Sequence, residues 1–515
     1  MRYRFTVTVV LAVSLAIILA GCHGGGATPT PAMDDVLKDA LATNVGTQYG
    51  SSAADCDCTT RLMEIVQTPP TSPEALRDIL REFIGYVQAD PNEPACQLGL
   101  SLLMLAVAAD NVGTDLGQDL FETFADPNMA AVMTLGASDK AGSLKARFDG
   151  ADPSVGPAQN GDQPDFTEEE VRQAIRNELL PVLFNPAGGV YQRLSSVAKN
   201  SDSTEPLCTF GTVGGDAFTL YAADFSMMAA SILGVYGSLL EGLAYYWDPG
   251  DWTMPEDPTQ ADTNNDGQID PNEYLPATNF GTLDPTYGTD YMQQAYNAYV
   301  GAVDDALWAT ENVPADDPTD VMNMVFNQLN DFEDMIVLQV DPPETSLEGF
   351  NLILRHLEAL LSGSVELTLK YYNEGETPQA MPFRMDFTQI YLNPVQDIRD
   401  LLPAFEYVIV PEQAREASQT PDWEIVPPEW SDFPDLTFNG LMPDLQTAIE
   451  TLQNYQYIEI ELPDGHEGLE LGGPIQLPEF RAVENLTPEQ WAEFTDQLEW
   501  FIMDLQFMVM GLIGG

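Results

Sequence analysis

The chain has 515 residues, 19 of them basic and 81 acidic, for a formal net charge of −62, and 44% of its residues are hydrophobic. That hydrophobic share supports a globular fold and excludes a disordered acidic tail. A surface this negative repels nucleic acid and anionic lipid headgroups, excluding both as electrostatic partners, and attracts divalent cations and basic partners.

At the N-terminus, Arg2 and Arg4 precede an apolar run over residues 5–19, and Leu19-Ala20-Gly21-Cys22 closes it. A basic stretch followed by a short apolar run is a cleavable signal peptide, too short to be read as a transmembrane helix. The four closing residues resemble the lipobox of bacterial lipoproteins. That resemblance implies lipidation of Cys22, anchorage to the membrane through the N-terminal lipid, and residence in the cell envelope. The next residue, His23 rather than aspartate, favours the outer membrane in that family's sorting. Loss of the signal peptide leaves 17 basic against 81 acidic residues, a net −64. Residues 1–21 are thus read as signal peptide and 22–32 as a Gly/Pro tether.

Cys56, Cys58, Cys96 and Cys208 remain, and an even count in an exported chain favours two disulfides. Pairing Cys56 with Cys58 would close a strained loop, so bridges from these two to Cys96 and Cys208 are expected. A Cys-x-Cys metal site is the alternative, but no histidine lies nearby.

Residues 33–149 read as an N-terminal helical region. Ser72-Pro73-Glu74 opens a helix with Leu76, Ile79, Leu80, Phe83, Ile84 and Val87 on one face, and Asp90-Pro91 ends it. A second, more apolar helix over residues 93–110 completes an αα-hairpin. Residues 150–166 form a Gly/Pro/Asp-rich linker. Thr167 then caps a helix with Glu168, Glu169 and Glu170 in its first turn, where acidic groups suit the helix dipole.

Residues 167–363 are expected to form a helical core. A long apolar helix is predicted over 216–247; its stretch 225–247 is long enough to span a bilayer. Glu241 within it and the lack of flanking basic residues favour a helix buried in a core. Further helices are predicted over 290–309 and near 320–340. Between Lys199 and Arg355 there is no lysine or arginine.

Strand alternation appears after residue 363: Val365, Leu367, Leu369 and Tyr371; Phe383, Met385 and Phe387; and Ile458, Ile460 and Leu462. Residues 364–515 are therefore read as a mixed region with a small antiparallel sheet, closed by a helix that opens at the capping box Thr487-Pro488-Glu489-Gln490. The fold class is mainly α (α+β), a helical scaffold with αα-hairpins and a small sheet in the C-terminal third.

Residues 262–273, Asp-Thr-Asn-Asn-Asp-Gly-Gln-Ile-Asp-Pro-Asn-Glu, carry the one specific chemistry in the chain. They match the calcium loop of the EF-hand, which presents six to eight oxygens to a hard cation. Asp262, Asn264 and Asp266 offer side-chain oxygens, Gln268 its backbone carbonyl, Asp270 the water-bridged position and Glu273 a closing carboxylate. Gly267 permits the sharp turn, and Ile269 should pack inward. Pro249, Pro255 and Pro258 argue against a regular entering helix, and Pro276 ends any exiting one within a turn. With no second loop of similar quality, the ion is read as a structural clip rather than a sensor.

His23 lies in the tether, His356 mid-helix and His466 in a turn, and no HExxH, GxSxG, phosphate-loop or dinucleotide motif occurs. The αα-hairpin, the apolar helix ending Leu-Ala-Tyr-Tyr-Trp-Asp and the acidic loop followed by Phe280-Gly-Thr-Leu resemble tetratricopeptide-like bacterial lipoproteins. The resemblance implies location and a helical scaffold, and no reaction; a protein partner is a separate expectation. The expected role is a non-enzymatic binding or envelope scaffold. The alternatives are an envelope hydrolase using a carboxylate pair, and an accessory of envelope assembly or transport.

Overall fold

A computed structural model describes residues 34–49, 57–115, 167–211, 217–248, 258–276, 279–314, 320–322, 346–373, 375–409, 423–426, 433–435, 437–452, 455, 457–461 and 475–476. The chain is mainly helical with small antiparallel sheets. It divides into two compact units. Among the described residues, one takes those up to Leu239 and from Gly301 to Met322, and the other takes Leu240–Val300 and those from Ser346 onward. The expected signal peptide, tether, 150–166 linker and capping box at Thr487 lie outside the described residues, as does nearly all of the helix predicted near 320–340.

In chain order the first unit begins with α1 (Asp35–Leu41), α2 (Asp57–Gln67), α3 (Pro73–Ala89) and α4 (Pro94–Asp115). The expected αα-hairpin is α3 and α4. Ser72 accepts a hydrogen bond from Ala75 N–H to cap α3, whose buried face is Leu76, Leu80, Phe83, Ile84 and Val87. Each such side chain contributes about 1.5–3 kcal/mol when fully removed from water. The two helices approach closely at Gly99, where a Cβ would stand 2.2 Å from the Phe83 ring. A Cys58–Cys96 disulfide ties α2 to α4.

Next come α5 (Glu168–Ala174), the π-helical turn Ile175–Leu179, α6 (Leu180–Leu183) and α7 (Val190–Lys199). The capping box forms as the sequence predicts: Glu170 N–H donates to Thr167, and Thr167 N–H donates back to the Glu170 carboxylate. Arg193 on α7 is fully buried and spends its guanidinium on four acceptors. These are Gly188 O (2.9 Å), Gln97 Oε1 (2.8 Å), Ala40 O (2.7 Å) and Thr43 O (2.8 Å). Two of them are carbonyls at the C-terminal end of α1, where a cation complements the helix dipole.

The 216–247 helix is corrected at both ends. Residues Ala217–Leu220 form strand β2, paired antiparallel with β1 (Cys208–Gly211) in the register Phe210↔Phe218, and those rings stack at 4.9 Å. Helix α8 then runs Ala222–Ala244. A run such as Ala-Phe-Thr-Leu-Tyr is apolar enough for either state, and pairing with a strand decides it. Among the described residues, two helices are long and apolar enough to cross a membrane; 89% of the apolar window in Pro94–Thr114 is buried, and 50% of that in Ala222–Ala244. On α8 only Ser231 is exposed.

The second unit carries α9 (Pro258–Ala261), β3 (Gln268–Ile269), α10 (Pro271–Tyr274) and the first half of α11 (Gly288–Glu311), as far as Val300. It continues with α12 (Ser346–Leu361), β4 (Ser364–Tyr372), β5 (Gln379–Asp386), α13 (Thr388–Leu392), a 3₁₀ turn at Ile398–Leu401, β6 (Phe405–Ile409), β7 (Trp423–Val426), α14 (Leu445–Leu452), β8 (Tyr457–Glu461) and β9 (Ile475–Gln476). The expected sheet is the order β5-β4-β8-β9, all antiparallel. Leu367, Leu369 and Phe383 are buried in it and pack with Ala448 of α14. Phe387, expected on the second strand, instead lies just before α13. A second sheet, in the order β3-β6-β7, includes two residues of the acidic loop.

Candidate metal centre

The acidic loop starts from a single turn of helix. Pro258, expected to forbid an entering helix, is the first residue of α9; its fixed φ and missing N–H suit that position. Asp262 follows at once, 2% exposed, and folds the loop around its own carboxylate. Its Oδ1 accepts from Asn265 N–H (2.6 Å) and Asp266 N–H (3.3 Å), and its Oδ2 from Gly267 N–H (3.0 Å). Asn264 Oδ1 accepts from Asp266 N–H, and Asp266 Oδ1 from Gln268 N–H, each at 2.9 Å.

Two residues bend back into the left-handed region, Asn265 at φ 60° and Gly267 at φ 91°. Asparagine tolerates that region better than most residues. At Gly267 nothing lies within 4 Å of where a Cβ would stand, so the backbone angle, not crowding, asks for glycine.

After the turn the chain becomes strand. Gln268 pairs with Glu406 and Ile269 with Phe405, antiparallel. Ile269 is fully buried with Ala261, Tyr274, Leu275 and Phe280, against which Trp247, Ile398, Leu402, Phe405 and Tyr407 pack. Pro271 opens α10, which lasts one turn as Pro276 predicts. Glu273 on that turn closes the loop: its Oε2 accepts from Asp270 N–H (2.9 Å), and its Oε1 from Thr263 N–H (2.8 Å), Thr263 Oγ1 (2.7 Å) and Asn264 N–H (3.3 Å).

The segment 398–407 grips this structure at several points. Tyr407 donates its hydroxyl to Asp262 Oδ2 (2.6 Å) and its N–H to Gly267 O (3.3 Å). Tyr274 donates to Pro403 O at 2.8 Å, and its ring meets Phe405 edge-on at 4.9 Å. Arg399, held by Asp397, donates to Pro276 O. None of these residues is visible as a site in the sequence, because they lie well over a hundred positions beyond the loop. The one trace is the alternation of Phe405, Tyr407 and Ile409.

Each carboxylate feels this arrangement differently. The Tyr407 hydroxyl, with three amide N–H groups, holds Asp262 below its ordinary value against the opposing effect of burial. Burial pushes Glu273 up, but the Asp270, Thr263 and Asn264 donors outweigh it and hold it low. Asp270 is pushed up by burial and by its neighbours Glu273, Asp266 and Asp262. The donors that reach the loop carboxylates among the described residues are amides and hydroxyls, with no lysine or arginine among them.

The loop thus brings Asp262, Asn264, Asp266, Gln268, Asp270 and Glu273 onto one short turn–strand–turn with an all-oxygen donor set, the chemistry of a hard cation. Its backbone is prefolded, while its carboxylates lie on amide donors. Among the described residues, no three His, Cys, Asp or Glu side chains converge as a ready metal cluster. An ion must therefore exchange with part of these hydrogen bonds to be held.

Other predicted sites fare unequally. The structure pairs Cys58 with Cys96 and buries Cys208 at the start of β1, while Cys22 and Cys56 lie outside the described residues. His356 is on α12. In the first unit, Asp224 and Asp320 are 4% and 0% exposed and share a hydrogen bond; burial, then the neighbouring carboxyl, raises Asp224 well above its ordinary value. A carboxyl pair so enclosed offers a substrate no approach. An open pocket of about 320 Å³ in the same unit, lined by Val45 to Thr47, Pro186, Ala187, Gln192, Ser196 and Asn200, has no ionisable side chain in its lining. No protein family, curated protein or solved structure matches this chain.

Proposed function

We propose that this is an exported, acidic lipoprotein, anchored through Cys22 at the cell envelope with the outer membrane favoured, whose 262–273 loop holds a structural Ca²⁺ ion. It works as a non-enzymatic binding or envelope scaffold. The observation that carries the calcium reading is the conformation of the loop itself: left-handed residues at its fourth and sixth positions, an inward Ile269, and Glu273 turned back to its start. Asp262, Asn264, Asp266, the Gln268 carbonyl, Asp270 and Glu273 would hold the ion. The ion would supply positive charge where the chain brings none, and would tie α9 to α10.

The same features favour a clip over a switch. One-turn helices on either side give no lever arms, and the pairing strand belongs to the same unit. An affinity near ~10⁻⁴ M, at the weak end for such loops, gives about 1.4 kcal/mol of stabilisation at millimolar calcium.

Thermal unfolding in calcium and in chelator tests this reading. The midpoint is expected to rise by a few degrees with calcium, and the Asp262→Ala/Glu273→Ala variant should lose the rise while keeping its helical circular dichroism. An unchanged midpoint, with no heat of calcium binding, would refute it. The anchor is checked by the mass of the mature N-terminus and by the release of a Cys22→Ala variant from membranes. Turnover on broad carbohydrate and peptide panels would replace the scaffold reading with the hydrolase.

A further inference from the structure

We propose that Tyr407 is an outer-sphere positioning residue of the calcium site, and that strand β6 gives this lone loop the support that a paired EF-hand takes from a second loop. The inference rests on the calcium reading above and assigns it a residue that the loop motif does not contain.

One residue reaches two points of the loop that define its curvature. Its main-chain N–H donates to Gly267 O, at the glycine where the chain turns back (3.3 Å). Its side-chain hydroxyl donates to Oδ2 of Asp262, the first loop position (2.6 Å). Directly after Gly267, the strand bearing Tyr407 pairs with Gln268 and Ile269. In a paired EF-hand, a lone short strand would need its neighbour, since an isolated two-residue ladder has too few bonds to stand alone. Here β6 and β7 form that neighbour within the same sheet, in register from Glu406↔Val426 to Ile409↔Trp423.

The hydroxyl has two opposing effects on an ion. Donation onto Oδ2 withdraws charge from the carboxylate, which weakens attraction to a cation. It also fixes the carboxylate's rotation, together with three amide donors, so that the ion meets an oriented ligand instead of a mobile one. Hydrogen-bond partners behind a metal ligand are worth about 10–100-fold in affinity, so orientation is the larger effect. The ring itself sits in the apolar cluster around Ile269, which makes the hydroxyl separable from the packing.

Tyr407→Phe keeps the ring and removes only the hydroxyl. Calorimetric titration of CaCl₂ into the full chain should give binding about tenfold weaker for this variant than for the unaltered protein. A merely structural tyrosine would lower the unfolding midpoint in chelator and leave the dissociation constant unchanged, so equal constants overturn the proposal. The Asp262→Ala/Glu273→Ala variant marks the zero of the titration. If the unaltered protein gives no binding heat, the calcium reading itself falls and takes this proposal with it. That outcome is distinct from two proteins that bind equally well.

Discussion

In the first unit, the buried guanidinium of Arg193 meets three carbonyls and the Gln97 amide oxygen. Arg77 likewise lies between Asp34 (2.6 Å), Asp110 (2.9 Å) and Asn111 (2.6 Å), and Asn111 passes the network on to Glu178. In the second unit, the acidic loop gathers Asp262, Asp266, Asp270 and Glu273, and among the described residues the groups that donate to these carboxylates are amides and hydroxyls. The chain holds no lysine or arginine from 200 to 354, so no cation is near in sequence. In the first region both guanidinium groups meet protein acceptors. The second has an excess of one sign, which an ion from outside can relieve. A scarce stock of basic residues therefore goes to cementing the first unit, while the loop is left to its surroundings.

The largest expected effect comes from opening the first region. Arg193→Leu strands four buried acceptors at about 1–3 kcal/mol each. A loss on the order of 5 kcal/mol is expected, seen as a fall of more than about 10 °C in the first unit's melting midpoint. That fall should be the same with calcium and with chelator; a calcium-dependent loss would break the contrast between the regions. Burial alone drives the Arg193 pKa down to about 10, the cost of taking this guanidinium out of water.

Next is the Cys58–Cys96 bridge, whose ends are 38 residues apart. Chain entropy sets its contribution at about 4 kcal/mol. A Cys58→Ser/Cys96→Ser variant should lose that much in denaturant unfolding, again independent of calcium.

Smaller and opposite in kind is the loop. Its double variant strands the donors that Asp262 and Glu273 satisfy, a cost equal with and without calcium, and in addition should lose the calcium-dependent gain of about 1.4 kcal/mol at millimolar ion, read from paired melts. A loss as large in chelator as in calcium would show the loop to be as closed as the Arg193 site.

The smallest effect is in pH. Burial raises the Glu178 carboxyl above 4.5, so the folded state keeps its proton longer than the unfolded chain. Its contribution is full below 4.5 and is lost as pH rises through the raised value. Glu178→Gln should flatten that part of the midpoint–pH curve; an unaltered slope would assign it elsewhere. Asp262 and Glu273 shift downward, so their share is lost on acidification instead.

Local signals were legible wherever the partner of a residue lay within a few positions. Ser72 and Thr167 cap the helices they announce, and the loop turns at Asn265 and Gly267 because asparagine and glycine tolerate the angles needed there. Alternation placed β4 and β8, since one face of a half-buried strand must be apolar. The segment 217–220 was misread because an apolar run carries no mark of its partner strand. Pro258 was misread because proline stops a helix only from inside, and at the first position it starts one.

By itself the sequence determined a mainly helical chain, its charge, its hairpin and the twelve residues with oxygen-ligand chemistry, since these depend on residue type and short spacing. Only the tertiary structure decided what supports that loop. Phe405 and Tyr407 reach it because β6 pairs with Gln268 and Ile269, and Tyr407 touches Asp262 across 145 positions of chain. Contacts of that range depend on packing the whole unit, and packing leaves no local pattern to read.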